Sequence, residues 1–171
     1  MSKGGSIYDC GFCVDKGWFG GKLVFEEYLG TSKRKGNEMA VKRIAVHCVE
    51  IEDKPGSLQN LLAKAASANV DLLCFAAFSA GGGRGHVCLG AKDPQTLEAC
   101  AQEAGIETTA AVGFIVGDAD KVGVAAAALK GLAEAGINGV AGAAIVCDGQ
   151  YQMLIVVDAA DGDAAERALG A

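Results

Sequence analysis

An internal repeat is the feature that most constrains this 171-residue chain. The segment DKPGSL, which begins at Asp53, aligns with DKVGVA, which begins at Asp120, at an offset of 67 residues (53 to 120). The alignment needs no gap through the following helix and strand, where Leu62 falls on Leu129. The copies share a pattern of residue types more than identities, which indicates that the chain builds one supersecondary unit twice.

Copy one alternates between strand and helix periodicity. Residues 41–51 are β-branched and largely apolar, which predicts a strand, and Leu58, Leu61, Leu62 and Ala65 form one apolar helical face. The further predicted elements are a strand at 70–79, a turn at 80–85, a strand at 86–91, a helix opened by Asp93-Pro94, and a strand at 106–109.

Copy two repeats this order. Its predicted elements are a strand at 110–116, an Ala-rich helix at 122–135, a strand at 137–146, a turn at 147–150, a strand at 151–157 and a short helix at 161–169. Residues 106–116 are also interpreted as one long β segment that closes the first unit and opens the second. Copy two lacks a final strand of its own, so we expect its sheet edge to be covered by residues 106–116 or by another chain.

This order predicts two ferredoxin-like βαββαβ modules of the α/β (α+β) class, with antiparallel sheets and helices on one face. The predicted boundaries are an N-terminal extension at 1–38, module 1 at 39–109 and module 2 at 110–171. The extension holds six of the ten aromatic residues, and its composition is more basic than the rest. We interpret it as translated upstream sequence or as a disordered extension, with Met39 as a hypothetical native start.

Composition excludes several classes of protein. The net charge of −6 argues against a nucleic-acid binder, which needs clustered Lys and Arg. No apolar run reaches the roughly 18 residues of a membrane span, and the N-terminus does not resemble a secretory signal. The seven scattered cysteines are expected to be free thiols in a reducing cytoplasm. We therefore expect a cytoplasmic protein that contacts neither nucleic acid nor membrane.

The motifs resemble those of the ACT domain. D-x-P-G-x-L begins at Asp53, A-x-x-x-V-D begins at Ala66, a hairpin follows, and copy two contains AGIN at residues 135–138. Two copies in one short chain are similar to the small stand-alone tandem ACT proteins of bacteria, over about residues 40–171. The resemblance implies regulatory modules that bind small ligands, most often amino acids, and that pair side by side into a continuous sheet. It places the ligand at the module interface, against the loop between the first strand and the first helix.

The resemblance also implies a set of ligand-binding residues. The candidates are Asp53, Lys54, Pro55, Gly56, Ser57, Leu58, Asp71, Asp118, Asp120, Lys121, Gly123 and Asn138. A helix N-terminus can receive a ligand carboxylate, a glycine lets the ligand approach the backbone, and an Asp can receive an ammonium group. Asn138 matches an Asn that many amino-acid-binding ACT domains use, and Asp71 is its counterpart in copy one.

A structural interpretation of the same residues stays open. Asp53 can cap the first helix with its carboxylate, and Pro55 suits a first helical turn because it has no N–H. Gly56 and Gly123 can serve helix–sheet packing instead, and Asn138 can satisfy a turn. Copy two departs from the motif, because Val122 stands where copy one has Pro55.

Other patterns predict no catalytic or metal chemistry. Cys10-x-x-Cys13 has no second pair to complete a zinc site. His47 could face His86 or Cys88 across neighbouring strands as metal ligands, although such residues are more often ordinary sheet positions. The glycine-rich segment at 80–85 lacks the spacing of a phosphate loop, and no nucleophile with a base and an orienting group is evident.

We therefore expect a non-enzymatic regulatory protein that binds an amino acid, uses no cofactor or metal, and forms a homodimer. A ligand-free assembly module of the same fold is the first alternative, and a small metal-binding protein is the second.

Overall fold

The structure is a computed structural model that describes residues 39–171. The predictions for residues 1–38, including the one for Cys10 and Cys13, lie outside the described residues. The described elements are β1 (Ala40–Glu52), α1 (Ser57–Ser67), β2 (Leu72–Gly81), β3 (Arg84–Ala91), α2 (Pro94–Glu103), β4 (Thr108–Ala119), α3 (Val124–Glu134), β5 (Gly139–Cys147), β6 (Gln150–Asp158), a 3-10 turn (Ala159–Asp161) and α4 (Gly162–Leu169).

The six strands form one antiparallel sheet in the order β2-β3-β1-β4-β6-β5. This order contains the ferredoxin-like arrangement twice, first as β4-β1-β3-β2 and again as β1-β4-β6-β5. The long central strands β1 and β4 therefore each belong to both modules. The predicted fold class is confirmed, while the module boundary at 109/110 stays a prediction because β4 runs through it.

The predicted cover for the second module was wrong. β1 occupies the place of its missing final strand, beside β4, instead of residues 106–116 or another chain. The pairing runs from Ala40 opposite Gly117 to Val49 opposite Thr108. This pairing is long enough to serve the sheets of both modules, because β1 has 13 residues and β4 has 12. The interpretation of 106–116 as one β segment is confirmed by β4, which begins at Thr108.

The four helices of residues 39–171 cover one face of the sheet. Val41 contacts the core of module 2 and Val49 lies in the core of module 1, and residues an even number apart on a strand share a face. The core under α1 and α2 contains Val49, Leu61, Ala65, Val70, Val87, Leu89, Ala91 and Leu97. The core under α3 and α4 contains Phe114, Val116, Val124, Ala128, Leu132, Tyr151, Met153, Ile155, Val157 and Ala165.

The other face of the sheet, which we call the inner face, is buried without a described helix on it. Its buried residues are Ile44, Val46, Ala76, Cys88, Leu154 and Val156. The edge strands β2 and β5 have Cα atoms within 8 Å of each other, so the sheet curls around this cluster. Gly113 makes room for the curl, because a Cβ there would lie 2.6 Å from the Val46 side chain. The inner face is therefore covered largely by the sheet itself.

Two contacts add to the core packing of α4. Arg43 of β1 donates to the carboxylates of Asp163 (2.8 Å) and Glu166 (2.5 Å). The hydrogen bond to Asp163, followed by the one to Glu166, raises the pKa of the Arg43 guanidinium. On the adjacent side, Gly131 of α3 approaches the carbonyl of Ala168 so closely that a Cβ would overlap it.

The expectation that all cysteines are free thiols was wrong for one pair. Cys48 and Cys88 form a disulfide between β1 and β3. The two residues are directly opposite in the ladder, with Cα atoms 4.1 Å apart, which is close to the separation of a non-hydrogen-bonded pair. A sequence separation of 40 residues corresponds to about 4 kcal/mol in the chain-entropy model of crosslinks. The free cysteines of the described residues are Cys74, Cys100 and Cys147.

Gly131→Ala tests the close approach of α3 and α4. Alanine favours a helix by about 1 kcal/mol over glycine. We nevertheless expect the free energy of unfolding to fall by about 1–3 kcal/mol, because the added methyl group must push the helices apart. Urea unfolding measures this change. The matched control is Ala126→Gly on the exposed side of α3, which should show only the propensity loss. A stabilised Gly131→Ala variant would contradict the contact.

Asp93→Ala tests the predicted start of α2, which is confirmed. The Asp93 carboxylate accepts hydrogen bonds from Thr96 Oγ1 (2.5 Å) and Gln95 N (3.0 Å). The bond from Thr96, followed by that from Gln95, lowers the pKa of Asp93 from its usual 3.8. The stabilisation is thus present above pH 3.8 and is lost as pH falls through the lower folded value.

We therefore expect Asp93→Ala to lower the urea midpoint at pH 7 and to differ less from the parent as pH falls below 3.8. Urea midpoints at several pH values measure the difference. Glu107→Ala, which alters an exposed acid before β4, should change the midpoint little at neutral pH. An Asp93 effect of equal size at neutral and acid pH would argue against this cap.

Candidate functional site

The junction between β1 and α1 is a tight turn instead of a capped helix start. Ser57 N donates to Lys54 O (3.2 Å), with Pro55 and Gly56 between them. Gly56 has a φ of 91°, so these residues form a type II turn, which favours Pro and then Gly at its centre. The alternative interpretation of Asp53 as the cap of α1 was wrong, because Gly56 holds the cap position and no described side chain caps the helix.

Copy two builds the same turn. Val124 N donates to Lys121 O (3.1 Å), and Gly123 has a φ of 87°. Val122 takes the place of Pro55 and is fully exposed. This turn position requires only a negative φ, so valine can replace proline there without changing the geometry.

Asp53 connects the turn to the neighbouring hairpin. Its carboxylate accepts a hydrogen bond from Ser79 Oγ (2.5 Å), and its N–H donates to Gly83 O (2.9 Å). Asp120 N donates in the same way to Gly149 O (2.9 Å). The Asp120 carboxylate is exposed and accepts no hydrogen bond from any residue in the 39–171 range. The two loops therefore share their backbone geometry but differ in whether the Asp carboxylate accepts a hydrogen bond.

The two loop lysines are each paired with an acid at the end of a strand. Lys54 pairs with Glu52, and this pairing lowers the pKa of the Glu52 carboxyl. Lys121 lies 2.8 Å from Asp118, whose side chain is only 11% exposed and also accepts from Ala119 N (2.7 Å). Asp118 therefore holds its loop through these two contacts. This structural role was not predicted from the sequence.

Asp71 and Asn138 lie away from the loops of their own copies. Strand register sets Asp71, before β2, at the end of the sheet where the β4–α3 loop lies. The same register sets Asn138, before β5, at the end where the β1–α1 loop lies. Asp71 also pairs with Lys92 (2.5 Å), and Asn138 is exposed. The twelve predicted residues therefore divide between two ends of the sheet and do not form one cluster.

Several partners of the loops were missed from the sequence. Ser79 and the carbonyls of Gly83 and Gly149 contact the loops only because β1 pairs with β3 and β4 pairs with β6. The glycine-containing turns were predicted as turns. The predicted antiparallel pairing could have indicated these contacts, since it brings the end of the first strand of each module beside the hairpin turn of that module.

The suggested metal ligands are not brought together. His47 is opposite Leu89 and faces the helices, whereas Cys88 is opposite Cys48, and His86 is opposite Glu50 on the inner face. No group of three metal-ligating side chains occurs within residues 39–171.

His47 instead lines a small cavity under α1 and α2. The cavity of about 20 Å³ also borders Lys64, Cys100 and Thr108. His47 Nδ1 is buried and has no hydrogen-bond partner among the described residues. A volume of this size holds about one water molecule and is too small for an amino acid.

Comparison with known proteins shows the fold of this chain. No family model matches the sequence, and no curated protein matches it. Among solved structures, the ligand-free regulatory subunit of aspartate kinase from Thermus thermophilus matches with 17% identity and a TM-score of 0.53, over 77% of this chain and 94% of that chain.

Two further structures agree. The regulatory subunit of aspartate kinase from Thermus flavus matches with 17% identity and a TM-score of 0.52, over 78% of this chain and 95% of that chain. A structure of aspartokinase alpha and beta subunits matches with 21% identity and a TM-score of 0.53, over 77% of this chain and 94% of that chain.

No helix within residues 39–171 has the length and apolar character needed to span a membrane. The predicted resemblance is thus confirmed at the level of the fold, since residues 39–171 share the fold of these aspartate kinase structures.

Proposed function

We propose that this protein is a non-enzymatic regulatory protein that binds an amino acid at its two strand–helix loops. The supporting observation is the repeated turn at residues 54–57 and 121–124. In both copies the helix start carries no capping side chain from the described residues. The space beside Gly56 and Gly123 is also open, with no atom within 4 Å of the position a Cβ would take.

This geometry suits a zwitterionic ligand. The uncapped first turns of α1 and α3 offer backbone N–H groups and a partial positive charge to a carboxylate. Asp53 and Asp120 follow the strands directly and can receive an ammonium group. The Asp53 carboxylate has lone pairs left after accepting from Ser79, and the Asp120 carboxylate has all of its lone pairs. Lys54 and Lys121 are paired with acids, so the loops are not strongly basic.

Amino-acid binding can be tested with site variants. Thermal-shift screening against the twenty amino acids should identify a class that stabilises the protein, because a ligand that binds only the folded state raises its stability. Asp53→Asn and Asp120→Asn should each weaken that binding by roughly 10–100-fold in calorimetry, the size expected for a hydrogen bond to a charged group. Asp161→Asn, on the 3-10 turn and outside both loops, is the control and should bind as the parent does.

Two results would contradict the proposal. One is a screen in which no amino acid shifts the melting temperature. The other is a stabilising amino acid whose affinity is unchanged in both loop variants.

The edge strand β5 supports the ligand-free alternative, in which the fold serves assembly, and also the expected homodimer. Val140, Ile145 and Val146 are 47%, 64% and 50% exposed, and the strand carries no charged residue. No strand of residues 39–171 lies on its outer side. Such an edge favours pairing with another strand. A second copy can supply β5 in the antiparallel direction, because a two-fold axis through the strand centre pairs Val140 with Val146 of the partner.

Ile145→Lys tests assembly through β5. A charged edge residue opposes strand pairing, so this variant should sediment as a monomer at concentrations where the parent is a dimer. Analytical ultracentrifugation measures the difference. Ala77→Lys places the same charge on β2, the opposite edge, and should leave the dimer intact. A parent protein that sediments as a monomer at micromolar concentration would rule out this interface.

A further inference from the structure

Four residue pairs of the β1–β3 ladder separate the Cys48–Cys88 disulfide from the β1–α1 loop. Between them, Glu50 is opposite His86 and Glu52 is opposite Arg84 in the β1–β3 ladder. The next contact along the strands is the hydrogen bond from Asp53 N to Gly83 O. The crosslink and the loop are therefore connected by an unbroken stretch of two paired strands.

We propose that this disulfide is a redox-sensitive crosslink that holds the β1–α1 loop against the β2–β3 turn. With the bond formed, the ends of β1 and β3 are tied together, and the contacts of Asp53 with Gly83 and Ser79 are retained. Reduction leaves the same contacts to hydrogen bonds alone, so the end of the ladder opens more often. The consequence for ligand affinity rests on the proposed function, but the effect on the loop does not.

The two crosslinked residues differ in their access to solvent. Cys88 is 4% exposed, whereas Cys48 is partly exposed. A thiolate of an external dithiol can therefore attack the sulfur of Cys48, and the sulfur of Cys88 leaves and takes up a proton. The second thiol of the reductant then displaces Cys48. Two electrons and two protons pass to the protein, which gains two thiols, and the reductant becomes a disulfide. A small-molecule disulfide reverses these steps.

The third cysteine on the inner face does not compete for this pair. Cys74 of β2 packs against Gly90, where a Cβ would lie 2.9 Å from its sulfur. Burial raises the pKa of the Cys74 thiol above its usual value. Because the thiolate is the form that attacks a disulfide, this shift disfavours exchange of Cys74 with the crosslinked pair.

Only module 1 carries this crosslink. The corresponding rung of module 2 consists of Ile115 of β4 opposite Leu154 of β6, on the same inner face. The loop it would control begins at Asp120, whose N–H donates to Gly149 O as Asp53 N–H donates to Gly83 O. The second module is therefore an internal control, with the same loop geometry and an apolar pair in place of the disulfide.

Disulfides are rare in a reducing cytoplasm, and those that form there are usually transient or regulatory. In a reducing cytoplasm, the location that the sequence predicts, the pair would be held as thiols, and an oxidising shift would form the crosslink. The fold does not need the bond to align β1 with β3, because β1 also pairs with β4 and the first core packs beneath it. Reduction therefore changes the local opening of the ladder without requiring the protein to unfold.

Hydrogen exchange of the full chain tests the proposal without a ligand. One sample is oxidised with glutathione disulfide, the other is reduced with dithiothreitol, and both states are verified by alkylation and mass spectrometry. We expect the amide of Asp53 to exchange at least several-fold faster after reduction, while the amide of Asp120 is unchanged. Cys48→Ala/Cys88→Ala should resemble the reduced parent and should not respond to dithiothreitol. Equal exchange at Asp53 in both states, or equal acceleration at Asp53 and Asp120, would overturn the proposal.

Calorimetry with the panel of twenty amino acids separates the two proposals. A redox effect on exchange, with no binding by any amino acid, would refute the proposed function and leave the crosslink supported. Binding that depends on Asp53 and Asp120, with exchange at Asp53 independent of redox state, would support the proposed function and refute the crosslink proposal. The reduced parent provides the key comparison even if the double variant fails to fold, because it has no substitution.

Discussion

The antiparallel pairing of β1 with β4 is the interaction on which the rest of this structure depends. Each strand completes the four-stranded arrangement of the other module, so neither module has a full sheet alone. The pairing also sets the two strand–helix loops at opposite ends of the sheet, because the strands run in opposite directions. The positions of both candidate sites follow from this one contact.

The shared sheet also determines which surfaces are buried and which stay exposed. The helices cover one face, and the curl of the sheet covers most of the other, with Gly113 allowing Val46 to pack closely. Apolar surface then remains at the edge strands, above all along β5. An exposed edge is a surface for pairing, whereas the loops at the strand ends present uncapped helix N-termini. The proposed assembly edge and the proposed ligand-binding loops therefore lie in separate parts of the molecule.

The local features that sequence predicted well are those in which neighbouring residues decide the outcome. The strand and helix periods, the Asp93-Pro94 start of α2 and the turn around Asp148 all depend on contacts within a few residues. The start of α1 was harder to predict from the sequence, because an Asp followed by Pro-Gly fits either a capped helix or a type II turn. Pairing of β1 with β3 decides between them, since it directs Asp53 toward Ser79 and Gly83.

The sequence by itself determined that the chain contains one βαββαβ pattern twice, because periodicity and the 67-residue offset are properties of the order of residues. It also determined the chemistry available in each loop. Only the tertiary structure decided which strand completes the second module, that Cys48 meets Cys88, and that His47 faces away from both Cys88 and His86. The physical reason is register: a shift of one residue exchanges the faces of a strand, and register is set by pairing between segments far apart in the chain.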